Sequence, residues 1–173
     1  MKKLDVPYHE QESHHTCGPA SLRMVFSYFD ELYGERQLAR QAKASGREGT
    51  RHRHMISVAR AAGFWVYNNV DSTLAEVKWF INHELPVIVN FFEPSDDVAH
   101  YAVVTGYDAK GILLNDPWNG KDFHLARRTF LGRWRSWEGK KRRWLMVVGR
   151  SDFRPQPYGD GEELLTGSFY DPL

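Results

Sequence analysis

The chain has 173 residues, of which 42% are hydrophobic and 26% charged, values typical of a folded domain with a buried core. A formal net charge of +1 and a pI of about 7.9 argue against bulk electrostatic binding of nucleic acid or of an acidic surface. Apolar runs such as residues 86–89 are no longer than a strand, and residues 1–7 lack the apolar stretch of a signal peptide. We therefore expect a soluble, cytoplasmic protein with no membrane insertion and no nucleic-acid partner.

The N-terminal part of the chain has the apolar spacing of helices. Leu22, Val25, Phe26 and Phe29 fall at the i, i+3, i+4, i+7 positions of one buried helix face. The sequence of this part predicts four helices and one short strand. The helices are indicated by helix-forming residues, by capping residues and by glycines at their ends. The predicted helices are residues 17–32, 35–44, 54–62 and one that opens with a capping box at residues 73–76, and the strand is residues 64–67.

From residue 86 the pattern changes to short runs of β-branched and aromatic residues bounded by turn formers. These runs predict strands at residues 86–92, 100–107, 112–115 and 143–148, and a fifth helix at residues 126–134. Residues 108–111 form a hairpin turn, and Pro117 ends the third strand in a loop. We expect an α+β fold in one domain over residues 1–150, with the helical part packed on an antiparallel sheet. Residues 151–173, which contain several Pro and Gly, are expected to be an irregular tail.

Cys17 is the only cysteine of the chain, and it stands at the predicted start of the first helix. Pro19 fits the first helical turn, where its missing N–H costs nothing. The positive end of a helix favours the thiolate, which is the nucleophilic form of cysteine. Gln11 lies six residues upstream, and its side-chain amide together with the backbone N–H of Cys17 would form an oxyanion hole. The alternative is that Cys17 is a small buried hydrophobic residue, as most free cysteines are.

A base for this thiol is predicted on the first hairpin of the sheet. His100 stands about nine residues before the middle of the turn, and Asp116 about seven residues after it. Antiparallel pairing therefore places the imidazole beside the carboxylate to within a small error of register. Each residue alone has an ordinary explanation, since a histidine at a strand end is commonly a surface residue and an Asp before Pro commonly forms a turn. Together with Cys17, the pair predicts a nucleophile, a base and a residue that orients the base.

Four motifs in this order resemble the papain-like cysteine peptidases. They are Gln11, Cys-Gly-Pro-Ala-Ser-Leu-Arg-Met-Val from Cys17, His-Tyr-Ala-Val-Val-Thr-Gly-Tyr-Asp from His100, and Leu-Asn-Asp-Pro-Trp around Asp116. Within that superfamily the chain is similar to the double-glycine leader peptidases, which process bacteriocin precursors, and to their stand-alone relatives. The similarity extends from about residue 6 to about residue 148, which is most of the chain.

The resemblance implies a role for each matched residue. Cys17 would be the nucleophile, His100 the general base and then acid, and Asp116 the residue that orients His100. Gln11 and the backbone N–H of Cys17 would hold the oxyanion. The substrate would be a peptide or protein, with a Gly-Gly-like cleavage site as one option, and the reaction would pass through a thioester without any cofactor. Cleavage specificity is not inherited, because this sequence lacks the transporter domains of the best-known members and has Thr16 where the family often has an acidic residue.

Other functions have less support in the sequence. Structural zinc needs four Cys or His ligands, and with one cysteine the histidines at 14, 15, 52 and 54 are expected to be solvated, those at 14 and 15 at the mouth of the cleft. The basic run at residues 140–143 is expected to form a solvated hairpin over tryptophans rather than a nucleic-acid site. A non-catalytic peptide-binding module would keep the groove, and a transpeptidase or amidase would use the same three residues. The sequence leaves these two alternatives and the oligomeric state open.

Overall fold

The computed structural model describes residues 1–135 and 143–173. In these two segments the chain forms five helices and eight strands. The helices are α1 (Cys17–Tyr28), α2 (Glu35–Gln41), α3 (His52–Ala61), α4 (Leu74–Asn82) and α5 (Arg127–Arg133). The strands are β1 (Lys2–Lys3), β2 (Trp65–Asn69), β3 (Val87–Phe92), β4 (Ala99–Tyr107), β5 (Gly111–Asp116), β6 (Gly120–Ala126), β7 (Leu145–Gly149) and β8 (Ser168–Tyr170).

The strands of the described segments form one sheet in the order β6-β5-β4-β3-β7-β2-β8, with β1 paired to β4. Every pairing between these strands is antiparallel. The central strands β3, β4 and β7 are buried along most of their length, which fits their nearly continuous apolar sequences. Helix α1 packs against β4, so its N-terminus is brought to the sheet. The predicted α+β fold is confirmed.

The predicted helices are present, but three of their ends were misplaced. Helix α1 ends at Tyr28 instead of residue 32, because Asp30 takes the left-handed backbone conformation with φ 62°. Lys43 does the same after α2, with φ 51°, so that helix stops at Gln41 instead of residue 44. Helix α3 begins at His52, two residues earlier than predicted. Both helices end early at a polar residue in the left-handed conformation. Helix propensity alone does not predict that these residues adopt it.

The capping box predicted at residues 73–76 is confirmed. The Thr73 hydroxyl accepts a hydrogen bond of 3.1 Å from the backbone N–H of Glu76, and the Glu76 carboxylate accepts one of 3.2 Å from the backbone N–H of Thr73. The same carboxylate is buried and accepts hydrogen bonds from Tyr67 and from Asn69 on β2. The cap therefore fixes α4 to the sheet as well as starting the helix.

Strand β6 was missed, because a loop was expected at residues 116–120 and a helix at residues 126–134, with no element predicted between them. Pro117 does end the strand before it, but Gly120 takes φ 114° and turns the chain straight back along β5. The new strand alternates exposed polar residues with inward ones such as Leu125, and it lies at the edge of the sheet. Its Lys and Asp content is typical of exposed edge strands, which hides it from a search for apolar runs.

Strand β4 contains an irregularity within its pairing to β5. The register shifts between Val104 and Gly106, so that Thr105 is one extra residue on β4. On its other side, Gly106 lies against β1, and a Cβ atom at this position would collide with the backbone carbonyl of Lys2. A glycine is therefore required where β1 pairs with β4 next to the bulge.

Residues 151–173 contain a regular element that the sequence did not predict. Strand β8 pairs with β2 through Ser168, Phe169 and Tyr170 and so covers the edge of the sheet opposite β6. Leu165 is buried, and Phe153 packs against the core. The expectation of a wholly irregular tail was therefore wrong, since part of it adds to the sheet. A domain boundary near residue 150 stays a prediction.

The expected basic hairpin falls largely at residues 136–142, outside the described part of the chain. The two described tryptophans beside it are buried: Trp134 closes α5, and its indole N–H donates a hydrogen bond of 2.9 Å to the carbonyl of Trp144. Along residues 1–135 and 143–173, no helix combines the length and the apolar content needed to cross a bilayer.

Candidate active site

Helix α1 begins at Cys17, as the sequence predicted. The thiol is free and nearly buried, with 9% of the residue exposed. Gly18 follows it at a crowded point, where a Cβ atom would lie 3.0 Å from the Met55 sulfur and 3.0 Å from the Thr50 Cβ. The glycine therefore lets the start of α1 pack against α3 and the loop before it.

His100 and Asp116 are brought together, as the hairpin argument predicted. The Nε2 atom of His100 lies 2.7 Å from Oδ1 of Asp116, and both side chains are buried. The β4–β5 register pairs Val103 with Asn115 at its end, so His100 lies three residues beyond this pair and Asp116 one. The resulting offset of two residues keeps both side chains on one face, since side chains alternate with a period of two.

Contacts on both sides of its ring set the charge of His100. Burial lowers the pKa of the imidazole, but hydrogen bonds with Asp116 and Cys17 and the negative charges of both raise it to about 10. Because Nε2 is held by Asp116, Nδ1 is the nitrogen left to face the thiol of Cys17. The arrangement therefore favours an imidazolium beside the sulfur at neutral pH.

Asp116 ends β5 at the bottom of a tight turn that supplies hydrogen-bond donors to its carboxylate. Oδ1 accepts backbone N–H groups from Trp118 at 2.9 Å and Asn119 at 3.0 Å, and Oδ2 accepts the Asn119 side-chain amide at 3.2 Å. Burial raises the pKa of Asp116, but the hydrogen bonds from His100 and from the turn hold it below its ordinary value. The carboxylate stays ionised although it is fully buried.

Asn119 and Glu93 are two members of this network that the sequence analysis missed. The Asn119 side-chain nitrogen bridges the carboxylates of Asp116 and Glu93, at 3.2 and 3.3 Å. Glu93 is itself buried, and its carboxylate accepts hydrogen bonds from the backbone of Asp96 and from the backbone and hydroxyl of Ser95. The only sequence signals were a charged residue ending an apolar strand and an Asn in a turn, both of which are common.

Gln11 lies in the same cleft as Cys17 and His100, a space of about 730 Å³. Its backbone N–H donates to the carbonyl of Pro117 at 3.0 Å, and its side-chain nitrogen donates to the carbonyl of Ser13 at 2.7 Å. A side-chain amide carries two N–H bonds, so one remains after the contact with Ser13. Three of the four predicted site residues thus line one cleft, and the fourth, Asp116, is buried and bonded to His100.

The mouth of the cleft combines rings and charges. His14 and His15 line it, as expected, and the His14 ring contacts the ring of Trp118 with centroids 5.3 Å apart. Trp118 is 43% exposed, so an indole face is available beside His100. In the described segments, no three His, Cys, Asp or Glu side chains cluster closely enough to hold a metal ion.

A second space of about 340 Å³ borders Cys17 on the other side. It is lined by Tyr101, Asn90 and His52, and Tyr101 follows His100 directly on β4. Burial of His52 lowers its pKa to about 4, so this ring is neutral. Trp144 stacks on it with ring centroids 4.1 Å apart. The prediction that His52 is a solvated loop residue was therefore wrong.

A cysteine at a helix N-terminus, packed on an antiparallel sheet that carries a histidine and a carboxylate, defines the fold of the papain-like peptidases. The model of the Peptidase_C39 like family matches residues 3–141, which is most of the chain. The protein belongs to this family.

Two relatives found by sequence are the Transport/processing ATP-binding proteins ComA of Streptococcus pneumoniae strains R6 and TIGR4. Each is 32% identical to this chain over 129 residues, covering 73% of this chain. The match covers only 17% of the length of these relatives.

Solved structures share the fold at lower sequence identity. The peptidase domain of Streptococcus ComA, from a bifunctional ABC transporter, has a TM-score of 0.70 and 19% identity, covering 87% of this chain and 100% of that domain. A putative C39-like peptidase from Bacillus anthracis has a TM-score of 0.70 and 18% identity, covering 88% and 100%. A double-glycine-motif protease solved with its leader peptide has a TM-score of 0.64 and 20% identity, covering 85% and 93%.

Proposed function

We propose that this protein is a cysteine peptidase that cleaves a peptide or amide bond with Cys17, His100 and Asp116. The observation that supports it most is the position of His100, which is bonded to Asp116 at 2.7 Å and also contacts Cys17 inside a cleft. Membership of a peptidase family supports the same class of reaction. The order of contacts is the one that nucleophilic catalysis requires, with the base between the nucleophile and the group that orients it.

The proposed reaction has two steps. The thiolate of Cys17 attacks the carbonyl carbon, and as the C–N bond breaks, His100 gives its proton to the leaving amine. Water then loses a proton to His100 and attacks the thioester, so that the acid product leaves and Cys17 regains its starting form. Asp116 stays ionised throughout and keeps the ring of His100 oriented. No cofactor takes part in either step.

Gln11 is proposed to hold the oxyanion with the backbone N–H of Cys17. Its presence in the same cleft supports this role, and so does the anchoring of its amide by the Ser13 carbonyl, which limits the orientations of the remaining N–H. Preorganised donors of this kind act on the charge that develops on the carbonyl oxygen during attack.

The proposed substrate is a peptide or protein segment. One structural neighbour was solved with its leader peptide and is named for a double-glycine motif, so a Gly-Gly-like cleavage site is one option for this chain. A free thiol as nucleophile needs a reducing environment, which supports the cytoplasm as the place of action. No membrane insertion and no nucleic-acid partner are proposed.

The first test is the rate at which iodoacetamide alkylates Cys17 between pH 5 and pH 9, in the wild type and in His100→Ala. The imidazolium of His100 persists through neutral pH because its pKa is raised, so the wild type should react rapidly even at pH 6. His100→Ala should lose this reactivity at pH 6. His124→Ala is the matched control, since His124 also contacts a carboxylate, at 3.3 Å, but on the exposed face.

The outcomes separate the proposed function from its alternatives. Equal profiles in the wild type and His100→Ala would reject the thiolate–imidazolium pair, and the non-catalytic peptide-binding module would replace the peptidase. If the pair exists, added amines can be offered to the acyl-enzyme formed from a peptide. Transfer of the acyl group to the amine in place of water would identify a transpeptidase.

A further inference from the structure

The second space beside Cys17 differs in character from the main cleft. His100 and Tyr101 are consecutive on β4, so their side chains point to opposite faces of the sheet. His100 borders the main cleft, whereas Tyr101 borders the second space with its cross-strand partner Asn90. Cys17 borders both. A substrate attacked at Cys17 can therefore reach both spaces at once.

The position of His100 indicates which part of a substrate enters each space. The amine that leaves must lie next to the group that protonates it, and His100 borders only the main cleft. The leaving part of the substrate therefore extends along the main cleft, past Trp118. The acyl part, which stays on Cys17, is left to extend toward the second space.

Hydrogen-bond counting fixes the tautomer of His52. The Tyr101 hydroxyl lies 2.8 Å from the carbonyl of Thr50 and 2.6 Å from Nδ1 of His52. The carbonyl can only accept, so the single proton of Tyr101 goes to Thr50. Nδ1 of His52 must then carry a proton and donate it to Tyr101. A neutral ring protonated at Nδ1 has a lone pair at Nε2.

The polar groups that remain in this space lack protein partners. Neither Nε2 of His52 nor the side-chain amide of Asn90 makes a hydrogen bond to any residue of the described segments. At the rim, Glu48 and Arg51 form an ion pair with each other at 2.7 Å, so neither charge is left over for a ligand. The space thus offers one acceptor and one carboxamide, together with the buried and unpartnered hydroxyl of Thr50, and its charge is balanced.

We propose that this second space is a specificity pocket that takes the carboxamide side chain of a Gln or Asn residue on the acyl side of the scissile bond. The carboxamide NH₂ would donate to Nε2 of His52, and its other hydrogen-bonding groups would pair with the amide of Asn90. An apolar side chain would leave both protein groups buried and unpaired, and a charged one would meet no free opposite charge. Glycine would reach neither group. The inference rests on the proposed function, and on the acyl side it replaces the Gly-Gly-like option with a carboxamide residue.

Tripeptidyl acyloxymethyl ketones test this directly, because they place residues only on the acyl side and alkylate Cys17. The two residues nearest the reactive ketone are varied in turn among Gln, Leu, Lys, Glu and Gly, and labelling of Cys17 is followed by intact mass. Gln at one of these positions should label about tenfold faster than the other four. Rates are divided by those of methyl methanethiosulfonate, a small thiol reagent without an amide.

Variants assign the preference to the pocket. His52→Phe keeps a ring on Trp144 but removes the acceptor, and it should abolish the preference for Gln. His54→Phe is the matched control from the same helix: its Nδ1 contacts the carbonyl of Ala42 at 3.1 Å, away from either space, and the preference should persist. Asn90→Leu provides a second, nearly isosteric test if His52→Phe does not fold.

The proposal is overturned if Leu, Lys, Glu or Gly labels as fast as Gln at both positions in the wild type. It is also overturned if the Gln preference survives in folded His52→Phe and Asn90→Leu. A Cys17 that resists every ketone and fails the iodoacetamide test would count against the proposed function itself. A Cys17 that reacts equally with the ketones of all five residues, at both positions, counts against the pocket alone.

Discussion

His100 and His52 lie on opposite sides of Cys17. Both side chains are largely buried, yet their pKa values shift in opposite directions. His100 contacts a carboxylate at 2.7 Å, and its pKa is raised to about 10 although burial by itself lowers it. His52 contacts a phenol at 2.6 Å, and burial lowers its pKa to about 4. One ring is therefore charged at neutral pH and the other neutral.

The difference shows that the partner, and not the depth of burial, sets the charge of a histidine in this site. A carboxylate offers full negative charge in a low-dielectric environment, which outweighs the cost of desolvating an imidazolium. A phenol offers only a dipole, so the neutral ring is preferred. The same residue type can thus serve as a proton donor on one side of the thiol and as a hydrogen-bond acceptor on the other.

The largest expected effect comes from replacing the charged partner. Asp116→Asn keeps the shape of the side chain but removes its charge, so the pKa of His100 should fall toward the behaviour of His52. We expect the rate of peptide cleavage, or of Cys17 labelling by a peptidyl ketone, to drop about 1000-fold. Asp108→Asn, which alters an exposed Asp–His contact, should leave that rate unchanged. A wild-type rate in Asp116→Asn would contradict the role of this carboxylate.

A second prediction concerns the pH dependence of the free energy of unfolding. The two histidines contribute to it in opposite directions, because their pKa shifts are opposite. The folded-state pKa of His52 lies below the usual 6.5, so the unfolded chain binds more protons and stability is lost as pH falls from about 6.5 to about 4. The loss should be at most about 3 kcal/mol. For His100 the folded pKa is higher, so its contribution is present below about 6.5 and is lost as pH rises toward about 10.

Urea unfolding at several pH values measures how the free energy of unfolding changes with pH over the ranges in which the two histidines titrate. Protonation of carboxylates also destabilises the protein at low pH, so the His52 contribution is taken as the difference between the wild type and His52→Phe. This difference should shrink as pH falls below 6.5. A difference that does not change with pH would mean that His52 titrates normally in the folded protein.

The smallest expected effect comes from the bridge behind Asp116. Asn119→Ala removes the amide that joins the carboxylates of Asp116 and Glu93, and Glu93→Gln replaces one of those carboxylates. Each should lower the rate about tenfold. Asn119→Ala should also move the acid limb of the pH–rate profile to higher pH, because Asp116 loses a donor that stabilises its ionised form. The double variant should be hardly slower than either single one, since both act through the same amide.

Asn82→Ala serves as the control for the bridge, because Asn82 accepts a hydrogen bond of 2.8 Å from Tyr107 on the exposed face. Fully additive losses in the double variant, with an unmoved acid limb, would show that Asn119 and Glu93 contribute only to folding.

Much of the site could be predicted from the sequence because its main contact is local. His100 and Asp116 belong to one hairpin, and a turn between two strands limits their separation to a small register error. The thiol at the start of α1 was predictable for the same reason, since capping and apolar spacing act within a few residues. The α+β class followed from the change of period at residue 86.

The parts that could not be predicted depend on contacts between distant segments. Asn119 meets Glu93 only after two separate loops are brought together, and neither residue has an unusual neighbour in sequence. His52 is largely covered because Trp144 and Tyr101 from other parts of the chain pack on its ring. Strand β6 escaped because pairing at a sheet edge is decided by the partner strand and not by its own polar residues.

The bulge at Thr105 makes this fold sensitive to the length of strand β4. Side chains alternate along β4 on either side of the extra residue, so a deletion there would invert one half of the strand relative to the other. Either His100 would turn away from Asp116, or Gly106 would no longer lie at its close contact with β1. When this sequence is aligned or grafted, gaps therefore belong in the turn after Tyr107 and not between His100 and that turn.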